Sequence, residues 1–364
     1  MKQNQRLILI KGVFAVAILI STVRFLILNN DVKKQVKIIE STEVGVYSNT
    51  FSVMGTFAKV KFCGTQTQTE LAAKTVIKKF DLINEHLNTF NKKSELSRLN
   101  ATAYTKPFKC SPLLWDILQK CRTAYEFSDH TFDVTAKPLM NLWGFYRKRP
   151  TPSLPSKAEV NFALSKVGFD KIIFNDKERT VKFSVKEMAI DLGGIAKGYA
   201  VDLAVNTLLE QKIIDNGIIN LGGNLRILPN TVKKLGNNFP VKIGITNPFQ
   251  NDTTCGFVEL KTASVATSGN YERFLKIDGK KYGHIMNPVT GEPVSDICGV
   301  SVVTTSATDA DWMSTTVFIN GEKSAEKILN QYPNTAILII KKNNAIKFSN
   351  ITTKEKDFWD NIKF

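Results

Sequence analysis

The apolar positions of this chain change period as they run along it. Val44 to Val53 and Phe57 to Phe62 alternate apolar with polar around Met54-Gly55-Thr56, so they read as paired strands. From Glu70 to Leu87 the apolar residues are Leu71, Val76, Phe80, Ile83 and Leu87, a helical spacing. Ser111-Pro112 opens another helix, to about Phe127, with proline at a first position that has no N–H partner to lose. Residues 148–157 form a Pro-rich surface connection, and Ser156 caps a short helix over 157–166. Strands are predicted near 171–174, 180–184 and 188–192, then a helix over about 195–210. Strands follow around 217–227, 241–246, 256–260 and 264–267, helices at about 308–318 and 322–330, and strands across 336–348. The many hairpin signals, Asp278-Gly279 among them, predict an α+β fold with mainly antiparallel sheets and packed helices. No GxGxxG follows the first strand, which excludes a dinucleotide-binding doubly wound sheet.

Ahead of this body, Lys2, Arg6 and Lys11 precede an apolar run from Gly12 to Val23, and Arg24 interrupts before Phe25 to Leu28. Leu7 to Leu28 is long enough to cross a bilayer if Lys11 and Arg24 snorkel to its edges. With no small-x-small cleavage signal, residues 1–28 are expected to be an uncleaved membrane anchor. Residues 29–43 then form a linker, 44–348 an exported body on the periplasmic side of the inner membrane, and 349–364 a C-terminal tail. Arg24, Lys33, Lys34 and Lys37 after the run work against the positive-inside rule, and a buried N-terminal helix is the other reading.

Of 364 residues, 43% are hydrophobic and 23% charged, ordinary for a globular chain. The net charge of +16 comes from 49 Lys+Arg against 33 Asp+Glu. The lysines are scattered, without a basic stripe interleaved with aromatics, which argues against nucleic acid and leaves anionic lipid or an anionic cofactor. Five cysteines without a CxxC argue against zinc and a redox pair. Export would permit one disulfide, and Cys110 and Cys121 are the nearest pair in the chain.

The candidate chemistry lies in five segments. Asp191-Leu-Gly-Gly-Ile-Ala-Lys-Gly-Tyr-Ala-Val-Asp202 runs from an extended stretch through a Gly-Gly turn into a helix with Lys197 in its first turn. Free N–H groups and carbonyls at such a turn can bind phosphate and a hard cation, although Gly-Gly turns also serve packing alone. Ala266-Thr-Ser-Gly-Asn-Tyr-Glu-Arg-Phe274, then Tyr282-Gly-His-Ile-Met-Asn-Pro-Val-Thr-Gly-Glu-Pro-Val294, sends His284, one of three histidines, and Ile285 out of a strand towards a turn. In Ser306-Ala-Thr-Asp-Ala-Asp-Trp-Met-Ser-Thr-Thr316, Asp311 and Thr315 share a helix face and form a hard-oxygen pair suited to Mg²⁺. An Asp near a helix start also answers the dipole, a role Asp309 fills better. Thr131 to Phe145 is an aromatic-rich turn, and Met54-Gly55-Thr56 is followed by a capped helix from Ser94.

Together, and in the order they take along the chain, these segments resemble the ApbE-type FAD:protein FMN transferase family over roughly residues 44–345. The resemblance implies an active-site cleft between subdomains and the Mg²⁺-dependent transfer of FMN from FAD to a Thr or Ser hydroxyl, with release of AMP. It places metal ligands on Asp311, Thr315 and the Gly194 carbonyl. Flavin contacts fall on Met54, Phe90, Thr131, Phe132, Asp133, Lys197 and Ile285, and catalytic roles on His284 and Asp311. The implied acceptor is an exported or membrane flavoprotein with a Thr-containing motif, such as a subunit of an NADH:quinone reductase or an Rnf-type complex. Three departures stand out: Phe90 where the family commonly has Tyr, His130-Thr131 before Phe132-Asp133, and Pro240-Val241 where an aromatic often precedes the strand. An FAD pyrophosphatase and a non-catalytic flavin carrier are the competing readings.

Overall fold

The hairpin around Met54-Gly55 is one end of an eight-stranded sheet. The computed structural model describes residues 43–146, 153–234, 241–250, 252–342, 345–351 and Trp359. The expected anchor, the linker up to residue 42, residues 148–152 of the Pro-rich connection, Pro240 and most of the expected tail lie outside the described residues. Among the described residues no helix is long and apolar enough to cross a membrane.

In chain order the strands are β1 (Gly45–Val53), β2 (Thr56–Gly64), β3 (Phe108–Lys109), β4 (Ile172–Asn175), β5 (Thr180–Phe183), β6 (Ile218–Leu221), β7 (Asn224–Ile227) and β8 (Val241–Thr246). They continue as β9 (Thr254–Leu260), β10 (Ser264–Gly269), β11 (Phe274–Ile277), β12 (Lys280–Gly283), β13 (Ile297–Thr304), β14 (Ala336–Lys341) and β15 (Ala345–Ser349). The helices are α1 (Gln66–Leu87), α2 (Glu95–Thr102), α3 (Pro112–Phe127), α4 (Lys137–Trp143), α5 (Lys157–Leu164), α6 (Ala196–Glu210), α7 (Thr231–Lys234), α8 (Ala307–Asn320) and α9 (Glu322–Gln331). The large sheet has the order β1-β2-β6-β7-β10-β13-β14-β15, with every neighbour antiparallel. The α+β, mainly antiparallel reading therefore holds.

The pleat sorts the core. On β14, Ile337 and Ile339 join Val300 and Val302 of β13 under the helices. Ala336, Leu338 and Ile340 join Val265, Val303 and the buried Trp359 on the other face. Both faces are covered, so the run reads as continuously apolar rather than alternating. Helices α1, α6 and α8 cover the first face, and the β8–β9 ribbon packs on the second.

Two differences from the sequence reading stand out. Met188 to Leu192 is extended but not a strand. Its polar groups are met elsewhere: Ile190 N–H donates to Asn100 Oδ1 (2.7 Å), Asn100 Nδ2 donates to the Ile190 carbonyl (2.8 Å), and Asp191 N–H donates to the Val134 carbonyl (2.8 Å). Conversely, β13 is a central strand that the sequence reading passes over, although Val300, Val302 and Val303 announce it. Cys110 and Cys121 are free thiols rather than a disulfide, and burial pushes the Cys110 thiol up to about 12.

Helix α8 is held in place by a carboxylate from α6. Asp202 accepts from Ala307 N–H (3.0 Å), Thr308 N–H (2.8 Å), and the hydroxyls of Ser306 (2.8 Å) and Thr308 (2.7 Å). Arg226 Nη1 balances its charge at 2.6 Å. The otherwise unpartnered N–H groups of the helix start thus have a buried anionic partner, and the start points where the dipole favours negative charge. The two helices touch at Gly198, where a Cβ would lie 2.1 Å from the Ala307 carbonyl oxygen and 2.8 Å from Asp311 Cβ. Gly198→Ala is therefore expected to destabilise by about 1–3 kcal/mol or more, read as a lowered Tm in thermal melts.

Candidate active site

A cavity of ≈ 1390 Å³ runs through the unit formed by Val44–Phe364, so the cleft lies within one compact body. Every residue that the sequence nominated lines it: Met54, Phe90, Thr131, Phe132, Asp133, Gly194, Lys197, His284, Ile285, Asp311 and Thr315. Those residues span the chain from its first hairpin to α8.

The β1–β2 turn is a two-residue connection with both φ angles positive, 51° at Met54 and 71° at Gly55, which matches the twist of the strands on either side. It sets Met54 against the cavity, and the Arg273 guanidinium comes within 3.8 Å of where a Cβ on Gly55 would be. Phe132 is buried, its amide donating to Ser128 Oγ at 2.8 Å, and its ring edge lies against Gly194. Phe90 is 63% exposed and stands at the cavity wall with its ring 5.1 Å from Tyr146. Tyr146 hydrogen-bonds Asp191, and burial raises its phenol above the ordinary range, with the Asp191 charge adding to the rise. Asp133 lines the cavity, but its carboxylate is committed inward. Oδ1 accepts from Thr135 N–H (2.8 Å) and Oγ1 (2.6 Å), and Oδ2 accepts from Phe169 N–H (3.2 Å). Its geometry is that of a turn-holding residue, and burial pushes its carboxyl up.

The charged centre is made by three residues. Asp311 is buried on α8, and its Oδ2 accepts from Gly198 N–H at 2.9 Å. With its amide nitrogen towards Asp311, the buried Asn224 donates to Oδ1 (3.1 Å) while its oxygen accepts from Lys197 Nζ (3.0 Å). A neutral amide thus bridges ammonium and carboxylate. Burial raises the Asp311 carboxyl, and the nearby Lys197 charge opposes that rise. Thr315 lies one turn further along α8. Its hydroxyl donates to the Asp311 carbonyl (3.2 Å), sits 3.4 Å from Ser268 Oγ, and is 3.2 Å from where a Cβ on Gly194 would be. A side chain at residue 194 would press on the Thr315 hydroxyl and, at 3.3 Å, on the Phe132 ring.

Among the described residues no three His, Cys, Asp or Glu side chains gather as a metal cage would need. A cation here would rest on one buried carboxylate, one hydroxyl and a carbonyl of the Gly193-Gly194 turn. That hard-oxygen set fits Mg²⁺, which takes its remaining positions from water and phosphate. The carboxylate, desolvated and held by two neutral donors, keeps lone pairs for such an ion.

His284 is half-buried, and its Nδ1 lies 3.2 Å from the Arg273 carbonyl. A carbonyl can only accept, so Nδ1 carries the proton and Nε2 keeps its lone pair. Burial lowers the imidazole from 6.5 to about 4, and the positive charges of Arg273 and Lys197 add to the fall.

The sequence reading missed Asn224, Tyr146 and Arg273. Asn224 carried a signal: Asn220-Leu-Gly-Gly-Asn224 echoes Asp191-Leu-Gly-Gly194. Arg273 lies in the segment Ala266–Phe274 without a role assigned to it there, Tyr146 is ordinary in sequence, and both take their roles from the fold.

The ApbE family model matches residues 54–339. Relatives described as FAD:protein FMN transferase include that of Escherichia coli K12, 26% identical over 322 residues, covering 87% of this chain and 90% of the relative. The Vibrio cholerae relative is 29% identical over 270 residues, covering 73% and 78%, and that of Buchnera aphidicola is 28% identical over 340 residues, covering 92% and 96%. Among solved structures, the ApbE protein of Thermotoga maritima superimposes with a TM-score of 0.75 at 27% identity, covering 84% of this chain and 97% of that one. The Vibrio cholerae flavin transferase ApbE gives 0.72 at 25% identity, with the same coverage.

Proposed function

This chain belongs to the ApbE family, and on that premise we propose that it is an FAD:protein FMN transferase acting on a Thr or Ser hydroxyl of a flavoprotein. The observation that carries the reading is the meeting of Asp311, Thr315, Lys197 and His284 in one cavity with room for two reactants. In the reaction, the acceptor hydroxyl oxygen bonds to the phosphorus of the FMN moiety. The pyrophosphate P–O bond breaks, AMP leaves, and the hydroxyl proton goes to a base. His284 Nε2 is that base: the fold holds it neutral and fixes its tautomer through Arg273. Asp311, Thr315 and the Gly194 carbonyl would hold Mg²⁺, which supplies charge neutralisation at the pyrophosphate. Lys197 adds a second positive group there. Met54, Thr131, Phe132 and Ile285 supply apolar and polar wall for the cofactor, with Phe90 and Tyr146 forming an aromatic flank.

The test is mass spectrometry of an acceptor domain incubated with the protein, FAD and Mg²⁺. An FMN adduct with AMP released supports the reading. Free FMN and AMP with an unmodified acceptor would replace it with a pyrophosphatase. Asn224→Ala is expected to weaken Mg²⁺ binding about 10–100-fold, as loss of an outer partner does at metal sites, measured by calorimetry beside the transfer rate.

The same reading places the body outside the cytoplasmic membrane, held by residues 1–28 as an uncleaved anchor, with acceptors of the NADH:quinone reductase or Rnf type within reach. The apolar run Gly12 to Val23 supports this. Recovery of the intact chain in the soluble fraction would overturn it.

A further inference from the structure

The cavity does not end at the helix-covered side. It continues past the Gly222-Gly223 turn onto the second face of the sheet, where Ile218 and Asn220 of β6, Leu225 of β7 and Val265 of β10 form its floor. Lys59 and Lys61 of β2 border that floor, beside Asn220 and Ile218 in register. Both are exposed, and neither has an ion-pair partner among the described residues. Lys242 across the branch differs in being matched to Glu259 at 3.5 Å.

We propose that this branch is the docking groove for the acceptor protein, which enters as an extended segment carrying carboxylates two residues apart. The inference rests on the transferase reading and names its second substrate's chemistry. Three observations carry it. First, a transferase must hold two reactants at once, and ≈ 1390 Å³ exceeds the roughly 300–1,000 Å³ of a pocket for one small ligand. Second, the pyrophosphate, the only anionic group of FAD, is assigned beside Lys197 and Asp311, which leaves Lys59 and Lys61 without a cofactor charge to meet. Third, Lys59 and Lys61 lie on the same strand face, so their stems emerge about 7 Å apart, the i to i+2 repeat of an extended chain. An extended segment over the sheet face would bring alternate side chains to the two ammonium groups, and the groove would lead its hydroxyl towards His284.

The experiment uses the full chain, FAD, Mg²⁺ and a purified acceptor domain that the wild-type protein modifies, together with a version in which Asp and Glu within five residues of the modified hydroxyl become Asn and Gln. The double variant Lys59→Glu/Lys61→Glu is expected to raise KM for the acceptor at least tenfold, and Lys59→Gln/Lys61→Gln to raise it less. FAD affinity and kcat at saturating acceptor stay unchanged. The amide acceptor raises KM on the wild type but adds nothing on the Gln/Gln variant, and added salt raises KM only where both charges are present. A weakened FAD affinity with unchanged acceptor KM would assign the lysines to the cofactor and overturn the groove. Unchanged KM and FAD affinity would overturn it too. A wild-type protein that modifies no acceptor overturns the transferase reading itself, a result distinct from either.

Discussion

Asp311→Asn is expected to lower FMN transfer on the order of 10²–10³-fold and to raise the Tm of the ligand-free protein. Both effects come from one carboxylate. Asp311 is buried with neutral donors at both oxygens, Gly198 N–H at 2.9 Å and the Asn224 amide at 3.1 Å, and its charge is poorly solvated. Burial therefore raises its carboxyl in the folded protein. The sign follows from linkage. An unfolded Asp loses its proton near 3.9, whereas the folded one keeps its proton to higher pH, so stability falls as pH rises through that window. The amide removes this loss, and the melting profile of Asp311→Asn is flatter above pH 4. The same change removes the anionic oxygen offered to a cation. The new amide also obliges Asn224 to turn its oxygen towards residue 311, which deprives Lys197 of its acceptor. Transfer assays across Mg²⁺ concentrations, paired with melts from pH 4 to 8, check both halves. A variant with wild-type transfer and unchanged Mg²⁺ dependence would remove Asp311 from the metal role.

Legibility in the sequence depended on how local the cause was. Asp278-Gly279 and Met54-Gly55 announced their hairpins because positive φ angles at both turn residues, 49° and 75° in the first, are a local demand. Caps at Ser94, Ser111 and Ser156 marked helix starts for the same reason, each side chain accepting an N–H three residues on. Helix α1 began four residues before the predicted start, since Thr65 caps it ahead of its first large apolar residue. Met188 to Leu192 misled because an apolar extended run looks the same whether a ladder or a distant side chain satisfies its backbone. Here Asn100, ninety residues away, does so. The nominated site residues reached one cavity because their segments are long motifs. What pattern could not supply was orientation. Asp133 turns its carboxylate into its own turn, Asn224 becomes a bridge through contacts with two helices, and Arg273 fixes a histidine through its carbonyl. Each rests on a pairing across large sequence distance or on a backbone atom, which residue identity does not encode.

The pH profile of kcat/KM for FAD is expected to stay flat from about pH 5 to 8 and to fall only as His284 takes up a proton near its lowered value of about 4. An unperturbed imidazole would instead place that inflection near 6.5. The lowered value has a cost in acid. Between those two values the unfolded chain binds a proton that the folded one refuses, so stability falls as pH drops through the window. His284→Ala removes that dependence and lowers transfer about 10²–10⁴-fold, the range for loss of a general base, while FAD binding stays intact. Its residual rate should rise with pH, because solvent hydroxide then takes the proton that Nε2 took. The profile of kcat, reporting the FAD-bound enzyme, should inflect above that of kcat/KM, since a bound pyrophosphate offsets the positive charge of Arg273 and Lys197 on the ring. His284→Ala with near-normal transfer would remove the base role. A wild-type inflection at 6.5 in kcat/KM would mean instead that the imidazole is solvated and free of its Arg273 tether, and the fixed tautomer would fall with it.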